Sequence, residues 1–275
     1  MTVPDSERLR AALNDADASD PYVGAARDAL EAPARPGLAG PTEPPSLSPE
    51  ALGAYFDHTQ LHPAATSTQI DQLCEEATAY GFTAACVHPI YAARVARALE
   101  GSDVTPCSVV GFPHGAHQPA VKAQEAERAV MGGARELDMV LALGAVADGR
   151  YADAEADVRA VVTAARETGE AVDTHVPVKV ILETALLTPP QIAIACIIAK
   201  RAGADFVKTS TGFAAHGARA PDVALMRQMV GPDLGVKASG GVGSVADARR
   251  MLAHGASRIG ASGSVAIIEE ARAAA

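Results

Sequence analysis

Aromatic residues make up only 4% of this 275-residue chain and tryptophan is absent, so its core must be assembled from Ala, Val, Ile and Leu. Basic charge is also scarce: 23 Lys and Arg stand against 33 Asp and Glu, a formal net charge of −10. That balance argues against a general nucleic-acid binder or a protein that adheres to anionic membranes, since both need a dominant basic surface. It leaves room for one small anionic ligand, which a few backbone amides can hold locally. The sequence has no uninterrupted apolar run of about 18–20 residues, the length of a membrane span. The start, Met1 to Arg8, lacks the basic patch and apolar run of a secretory signal. Four cysteines (Cys74, Cys86, Cys107 and Cys196) form no CxxC pair and lie in apolar segments, as buried reduced thiols would. These absences set the expectation of a cytoplasmic protein. No Walker A loop or GxGxxG fingerprint follows a strand candidate, so no cofactor is expected.

What is present is a chain 48% hydrophobic and 20% charged, enough for a sizeable core and incompatible with global disorder. Residues 1–49 differ from the rest. They hold eight of the eighteen prolines and little apolar periodicity, which predicts a disordered extension with one short helix around 6–13. From residue 50 to 275 a regular alternation takes over. Apolar or β-branched runs at Tyr55–Thr59, Thr83–His88, Thr105–Gly111, Glu136–Leu141, Val176–Glu183, Phe206–Ser210, Gly235–Ser239 and Arg258–Ala261 predict eight strands. Amphipathic stretches lie between most of them, such as Ser67–Tyr80, Lys122–Met131, Ala152–Thr168, Pro189–Arg201, Pro221–Met229 and Val245–Ala253. Gly81, Gly133, Gly203 and Gly255 recur where a helix ends before a strand, at spacings of 52, 70 and 52 residues, about two βα units each. An open doubly wound sheet is the alternative, but eight such units favour closure into a single (βα)8 TIM barrel.

In such a barrel, function collects at the C-terminal ends of the strands. Lys208 stands inside a short apolar strand, in Asp205-Phe-Val-Lys-Thr-Ser-Thr-Gly212, and should point into the barrel mouth. Lys237, in Gly235-Val-Lys-Ala-Ser239, repeats this on the next strand, about 4.8 Å away. Like charge and desolvation would lower one lysine pKa toward neutrality, freeing an amine to form a Schiff base with a carbonyl substrate. The bland alternative is a structural ion pair. Asp138, within Glu136-Leu-Asp-Met-Val-Leu141, needs a cationic partner in its apolar strand. It could relay protons or merely neutralise the lysines. Asp57, in Asp57-His-Thr-Gln-Leu61, is a weaker partner of the same kind, or a cap on the following turn.

Glycine-rich turns around Thr211-Gly212, Ser239-Gly240-Gly241 and Gly260-Ala-Ser262 follow the last three strands, where barrels of this kind recurrently bind phosphate. Three such turns beside two inward lysines point to a phosphorylated carbonyl compound. His114 and His117 sit in a Gly/Pro loop without a third ligand, so no metal is expected. Cys86 and His88 read as packing or supporting groups rather than a nucleophilic pair.

At these residues the chain resembles the deoxyribose-phosphate aldolase family of class I aldolases, over roughly residues 50–268. The most specific pieces are Ala204-Asp-Phe-Val-Lys-Thr-Ser-Thr-Gly-Phe213, Val236-Lys-Ala-Ser-Gly-Gly-Val242 and Glu136-Leu-Asp-Met-Val140. Asp57-His-Thr59, Val110-Gly-Phe-Pro113 and Lys179-Val-Ile-Leu-Glu-Thr184 support them. The resemblance implies Lys208 as Schiff-base lysine, Lys237 as the lysine that perturbs it and Asp138 as the proton-relay carboxylate. It also implies reversible cleavage of 2-deoxy-D-ribose 5-phosphate to D-glyceraldehyde 3-phosphate and acetaldehyde, with neither metal nor organic cofactor. Barrels of this kind often pair through outer helices, so a homodimer is the expected assembly. Another phosphorylated sugar, or a barrel that binds a sugar phosphate without turnover, are the competing readings. The chain departs from many relatives at His62 and at His216-Gly-Ala-Arg219, and it ends without the tyrosine tail that some of them carry.

Overall fold

Each of the eight apolar runs forms a strand: β1 (Phe56–Gln60), β2 (Ala84–Val87), β3 (Thr105–Val110), β4 (Glu136–Val140), β5 (Val178–Ile181), β6 (Phe206–Lys208), β7 (Gly235–Ser239) and β8 (Arg258–Ala261). Every strand pairs in parallel with its sequence neighbours, and β8 closes onto β1 through Phe56–Ile259, Asp57–Gly260 and His58–Ala261. The sheet is a closed barrel, which removes the doubly wound alternative. Strands β2, β4 and β5 are buried at every residue, as parallel strands covered on both faces must be. The computed structural model describes residues 6–17, 19–32 and 47–274.

The main helices around the barrel are α3 (Pro49–Gly53), α4 (Ser67–Tyr80), α5 (Ala92–Ala98), α6 (Pro119–Met131), α7 (Leu143–Ala147), α8 (Tyr151–Ala171), α9 (Pro189–Ala202), α10 (Ala220–Val230), α11 (Val245–Ala253) and α12 (Ser264–Ala273). Local chemistry sets their limits. Thr66 and Gln69 form a reciprocal capping box at the start of α4, and Thr188 and Gln191 do so at α9. The four recurrent glycines adopt positive φ (64°, 101°, 86° and 100° in chain order), the left-handed conformation that ends a helix where a side chain would be strained. None of the described helices is long and apolar enough to cross a membrane.

Within residues 6–32 the N-terminal extension holds the short helix expected around 6–13 and, beyond the expectation, a second one. Two helices form there, α1 (Ser6–Asp15) and α2 (Pro21–Glu31), and both pack against the barrel's helical layer. Pro21 occupies the first turn of α2, where its missing N–H costs nothing, and the Asp20 carboxylate accepts from the Tyr22 and Val23 N–H groups. Tyr22, Val23, Ala26 and Leu30 then lie on one buried face, and Arg201 of α9 stacks over the Tyr22 ring. Docking against α2 explains why α9 is apolar almost all round. Gln228 of α10 donates to the Leu30 carbonyl at 2.9 Å. Residues 33–46, the core of the expected disordered segment, lie outside the described residues.

Leu30 is 2% exposed at this contact. Leu30→Asp buries an unpaired charge there and is expected to release both helices. Limited proteolysis within residues 6–32 should accelerate about tenfold or more, because cleavage tracks the population of the undocked form. An unchanged cleavage rate would show that docking does not depend on this face.

Candidate active site

Strand pleat decides which side chains enter the barrel. The register pairs Lys208 directly with Lys237, and Asp138 with Lys179 of β5. Asp138 is fully buried at the centre of the cluster that results. Its Oδ2 accepts from Lys208 Nζ and from Lys237 Nζ, each at 2.7 Å, while Oδ1 accepts from Lys179 Nζ at 3.0 Å. Lys237 also donates to Asp57, whose other oxygen takes Arg258 of β8 at 2.6 Å. Glu136, at the start of β4, accepts from Lys179 and lies 3.3 Å from Arg258. Both Asp57 oxygens are thus committed to cations, so Asp57 is a member of the cluster and not a turn cap.

Sequence reasoning singled out Asp57, Asp138, Lys208 and Lys237, and the structure brings all four together. It missed Lys179, Glu136 and Arg258 as members. The signal was the same one that exposed Lys208, a charged residue on a short apolar strand.

Four cations and three carboxylates therefore share the barrel interior. At Asp57, Asp138, Lys179, Lys237 and Arg258 burial opposes the charge, yet the opposite charges outweigh it. Desolvation would raise the Asp138 pKa, but the ammonium groups of Lys179, Lys208 and Lys237 hold the carboxyl well below the usual carboxylate range. Asp57 is likewise held at about 2, against burial, by Lys237, Lys179 and Arg258. Of the two lysines, Lys237 is not an amine of lowered pKa. Burial pulls its pKa down, but Asp138 and Asp57 flank the ammonium and push it above the ordinary lysine value. Lys179 moves the same way, its burial outweighed by Asp138, Cys107, Glu136 and Asp57.

Support for the four cations is uneven. Lys179, Lys237 and Arg258 each reach at least two carboxylates, whereas Lys208 reaches only the Asp138 oxygen that it shares with Lys237. Lys208 is also the β6 terminus, where the strand opens into the mouth.

Gly260 is placed differently from the expectation of a loop glycine. It lies inside β8, and a Cβ there would stand 3.0 Å from Lys237 Cε and 3.0 Å from Ser239 Cβ. Its role is to leave space for the Lys237 stem.

The remaining glycines do line the mouth. Gly212, Gly240 and Gly241 have φ of 93°, 75° and 72°, and Gly212 and Gly241 are exposed. The β6 and β7 loops are tied to one another. The Ala218 N–H donates to the Ser239 and Gly240 carbonyls, and a Cβ at Gly217 would strike the Gly240 carbonyl at 2.1 Å. Ser239 Oγ is committed to the Ser210 carbonyl at 2.6 Å. Thr211 is held by Glu183. Ser262 stays exposed, just before α12. Arg219 is exposed immediately before α10, and its charge acts on Asp222.

Cys86 and Cys107 are register partners on β2 and β3, and the Cys107 thiol lies 3.3 Å from Asp138 Oδ1. With Asp138 they bring three donor atoms within 4.8 Å of one another. Lys179 Nζ already bonds Asp138 and lies 3.7 Å from Cys107 Sγ, so an ammonium already occupies two of the three donors. A lysine that repels the ion does not suit a metal centre.

The sequence model of a family described as DeoC/LacD family aldolase matches residues 52–267. The deoxyribose-phosphate aldolases of Streptococcus gordonii and Clostridium novyi are each 51% identical to this chain over 218 residues. Those alignments cover 79% of this chain and 96% and 95% of the relatives. A solved structure from Coccidioides immitis superposes with a TM-score of 0.81 at 35% identity, covering 99% of this chain and 98% of that one. The tetrameric deoxyribose phosphate aldolase of Aeropyrum pernix gives a TM-score of 0.75 at 35% identity, with 83% of this chain and 94% of that one covered. Matched over most of its barrel by sequence and by structure, and carrying a lysine-carboxylate cluster in the barrel interior, this chain belongs to the DeoC/LacD family of aldolases and is a lyase.

Proposed function

We propose that the enzyme cleaves 2-deoxy-D-ribose 5-phosphate reversibly into acetaldehyde and D-glyceraldehyde 3-phosphate through a Schiff base on Lys208. The observation that carries this reading is the single Asp138 oxygen shared by Lys208 and Lys237 at 2.7 Å each, beneath glycine loops. With four cations facing three carboxylates, losing one proton leaves the cluster neutral. Lys208, the cation with least carboxylate support and the one at the open end of its strand, is the amine placed to act as nucleophile. Its amine attacks C1 of the open-chain sugar, forming a C–N bond, and loss of the C1 oxygen as water gives an iminium. The iminium carries the positive charge that the ammonium had, so the pairing with Asp138 survives.

The C2–C3 bond then breaks. Its electron pair moves toward the iminium to give an enamine, and the C3 hydroxyl proton departs as the three-carbon aldehyde phosphate forms. Protonation at C2 and hydrolysis release acetaldehyde and restore Lys208. Asp138 is ill suited to keep a proton, because three ammonium groups hold it ionised. It instead orients Lys237, the adjacent group that carries a proton, and together they pass protons to and from the reacting atoms. The covalent route divides one difficult step into easier ones.

Gly212, Gly240, Gly241 and Ser262 are the candidates to hold the phosphate, with exposed or left-handed backbone that can approach its oxygens closely. A phosphate anchored there would place C1 within reach of Lys208. A homodimer would have to pair outer helices other than the faces of α9 and α10 that α2 covers.

The test is intact-protein mass after incubation with acetaldehyde or deoxyribose 5-phosphate plus borohydride. An adduct with the mass of an ethyl group, absent from Lys208→Ala, is the expected result. A parent protein that turns over substrate yet stays unmodified would exclude the Schiff base.

A further inference from the structure

Glu183 is a non-glycine residue at φ 49° and ψ 65°, the left-handed region that side chains rarely adopt. It sits two residues beyond β5, only 3% exposed. One carboxylate oxygen, Oε2, accepts from the Thr211 N–H at 3.2 Å and also from the Thr211 hydroxyl. The other, Oε1, is buried without a hydrogen-bond partner. Backbone strain and an unsatisfied buried carboxylate oxygen are both unfavourable, and they persist in folded proteins where the surrounding structure enforces them for function.

The surroundings do enforce it. The Leu182 N–H donates to the Lys208 carbonyl at 2.8 Å, and the Thr184 N–H to the Thr209 carbonyl at 2.9 Å, so the backbone on both sides of Glu183 is fixed to β6 and its continuation. Between those two bonds the backbone takes the left-handed turn, and from it the carboxylate reaches Thr211. Thr211 in turn accepts the Phe213 N–H at 3.1 Å, which bends the chain around Gly212. Gly212 then packs near Gly240, where a Cβ would lie 3.5 Å from Gly212 Cα. A chain of contacts therefore runs from Glu183 to the glycine loops through Thr211, which stands three residues after Lys208.

We infer that Glu183 is a positioning residue for phosphate recognition: its carboxylate shapes the Thr211–Phe213 turn that helps receive the substrate's phosphate. The inference rests on the phosphate-loop reading given under the proposed function. It separates two properties of the site, since the Lys208 amine lies on the strand and the phosphate contacts lie on the loop. Losing Glu183 should weaken the hold on the phosphate while leaving Schiff-base chemistry intact.

Steady-state kinetics with deoxyribose 5-phosphate and with unphosphorylated 2-deoxyribose tests this, alongside borohydride trapping of acetaldehyde. Glu183→Ala is expected to raise KM for the phosphorylated sugar on the order of ten- to a hundredfold, the scale of losing hydrogen bonds to a charged group. Turnover of 2-deoxyribose and the trapping yield should stay within about twofold of the parent. Glu183→Gly, which relieves the backbone but removes the carboxylate, should behave as Glu183→Ala does. Glu183→Gln, which keeps an acceptor oxygen, should recover most of the KM. Thr211→Val removes the hydroxyl from the other end and should raise KM in the same direction, even where a Glu183 variant fails to fold.

Equal losses for both sugars, or full recovery in Glu183→Gly, would overturn the assignment and leave Glu183 a purely structural residue. A parent that prefers the phosphorylated sugar, with variants that keep that preference, would overturn it while sparing the loop reading. A parent with no preference for the phosphorylated sugar would remove the loop reading and this inference together.

Discussion

Lys208→Met is expected to abolish aldol cleavage, by about 10⁵-fold or more, the scale on which removing a covalent nucleophile acts. It should do so without lowering thermal stability. The substitution keeps most of the apolar stem and removes the one cation that makes four against three. Three carboxylates then face three cations, and Asp138 Oδ2 still accepts from Lys237 at 2.7 Å. Deleting one partner of a buried pair is ordinarily costly because it strands the other charge, and here no charge is stranded. Lys237→Met is the contrast, because Asp57 and Asp138 both lose the cation between them. Its melting temperature should fall clearly. Turnover and thermal melts on the two variants check both halves of the expectation. Residual Lys208→Met activity above about 1% of the parent would move the nucleophile to another lysine of the cluster.

Asp157→Ala is expected to destabilise the fold by about 3–5 kcal/mol, the usual consequence of stripping one partner from a buried ion pair. Asp157 lies on α8, and its Oδ2 accepts from Lys122 Nζ of α6 at 2.7 Å, with both side chains almost fully buried. Lys122 Nζ also donates to the Val140 carbonyl at 2.9 Å, at the end of the strand that carries Asp138. A Cβ at Gly111 would meet Lys122 Cε at 2.9 Å, so the lysine stem fills the space beside the end of β3. Burial raises the Asp157 pKa and lowers that of Lys122, and in each case the partner opposes the shift. Without the Asp157 carboxylate, the ammonium keeps one carbonyl bond and, as counter-charge, the Glu125 carboxylate, which does not hydrogen-bond it. The double variant Lys122→Met with Asp157→Leu should recover most of the loss, because apolar pairs of similar volume replace buried ion pairs well. Urea denaturation of the single and double variants would measure it. A loss below about 1 kcal/mol in Asp157→Ala would mean that water reaches the lysine.

Barrel and elements were legible because period and punctuation agree in this chain. Gly235–Ser239 and Arg258–Ala261 match the expected strands residue for residue, and Ser67–Tyr80 and Val245–Ala253 match the expected helices. The run expected at Val176–Glu183 shortens to Val178–Ile181, since apolar character continues past the hydrogen-bonded ladder. The second N-terminal helix was obscured by Pro21, which breaks a helix in its interior but favours its first turn; Asp20 beside it was the readable sign.

Within the site, an odd charge in an apolar strand was enough to find Lys208, Lys237 and Asp138. The direction of the Lys237 pKa could not be read from two neighbouring lysines, because it depends on Asp57 from β1, which only barrel closure brings beside it. Gly260 was misplaced for a related reason: one letter does not distinguish a turn glycine from a strand glycine that accommodates a neighbour.

That strand glycine bears on how such a chain can change over generations. A methyl group at position 260 would press on the Lys237 stem, so the site cannot drift to alanine while the lysine stays as it is. Once the lysine is gone, only the Ser239 Cβ still crowds that space. Positions 237 and 260 should therefore vary as a pair among descendants of this barrel. A lineage that abandons lysine chemistry would be recognisable by a side chain reappearing on the eighth strand.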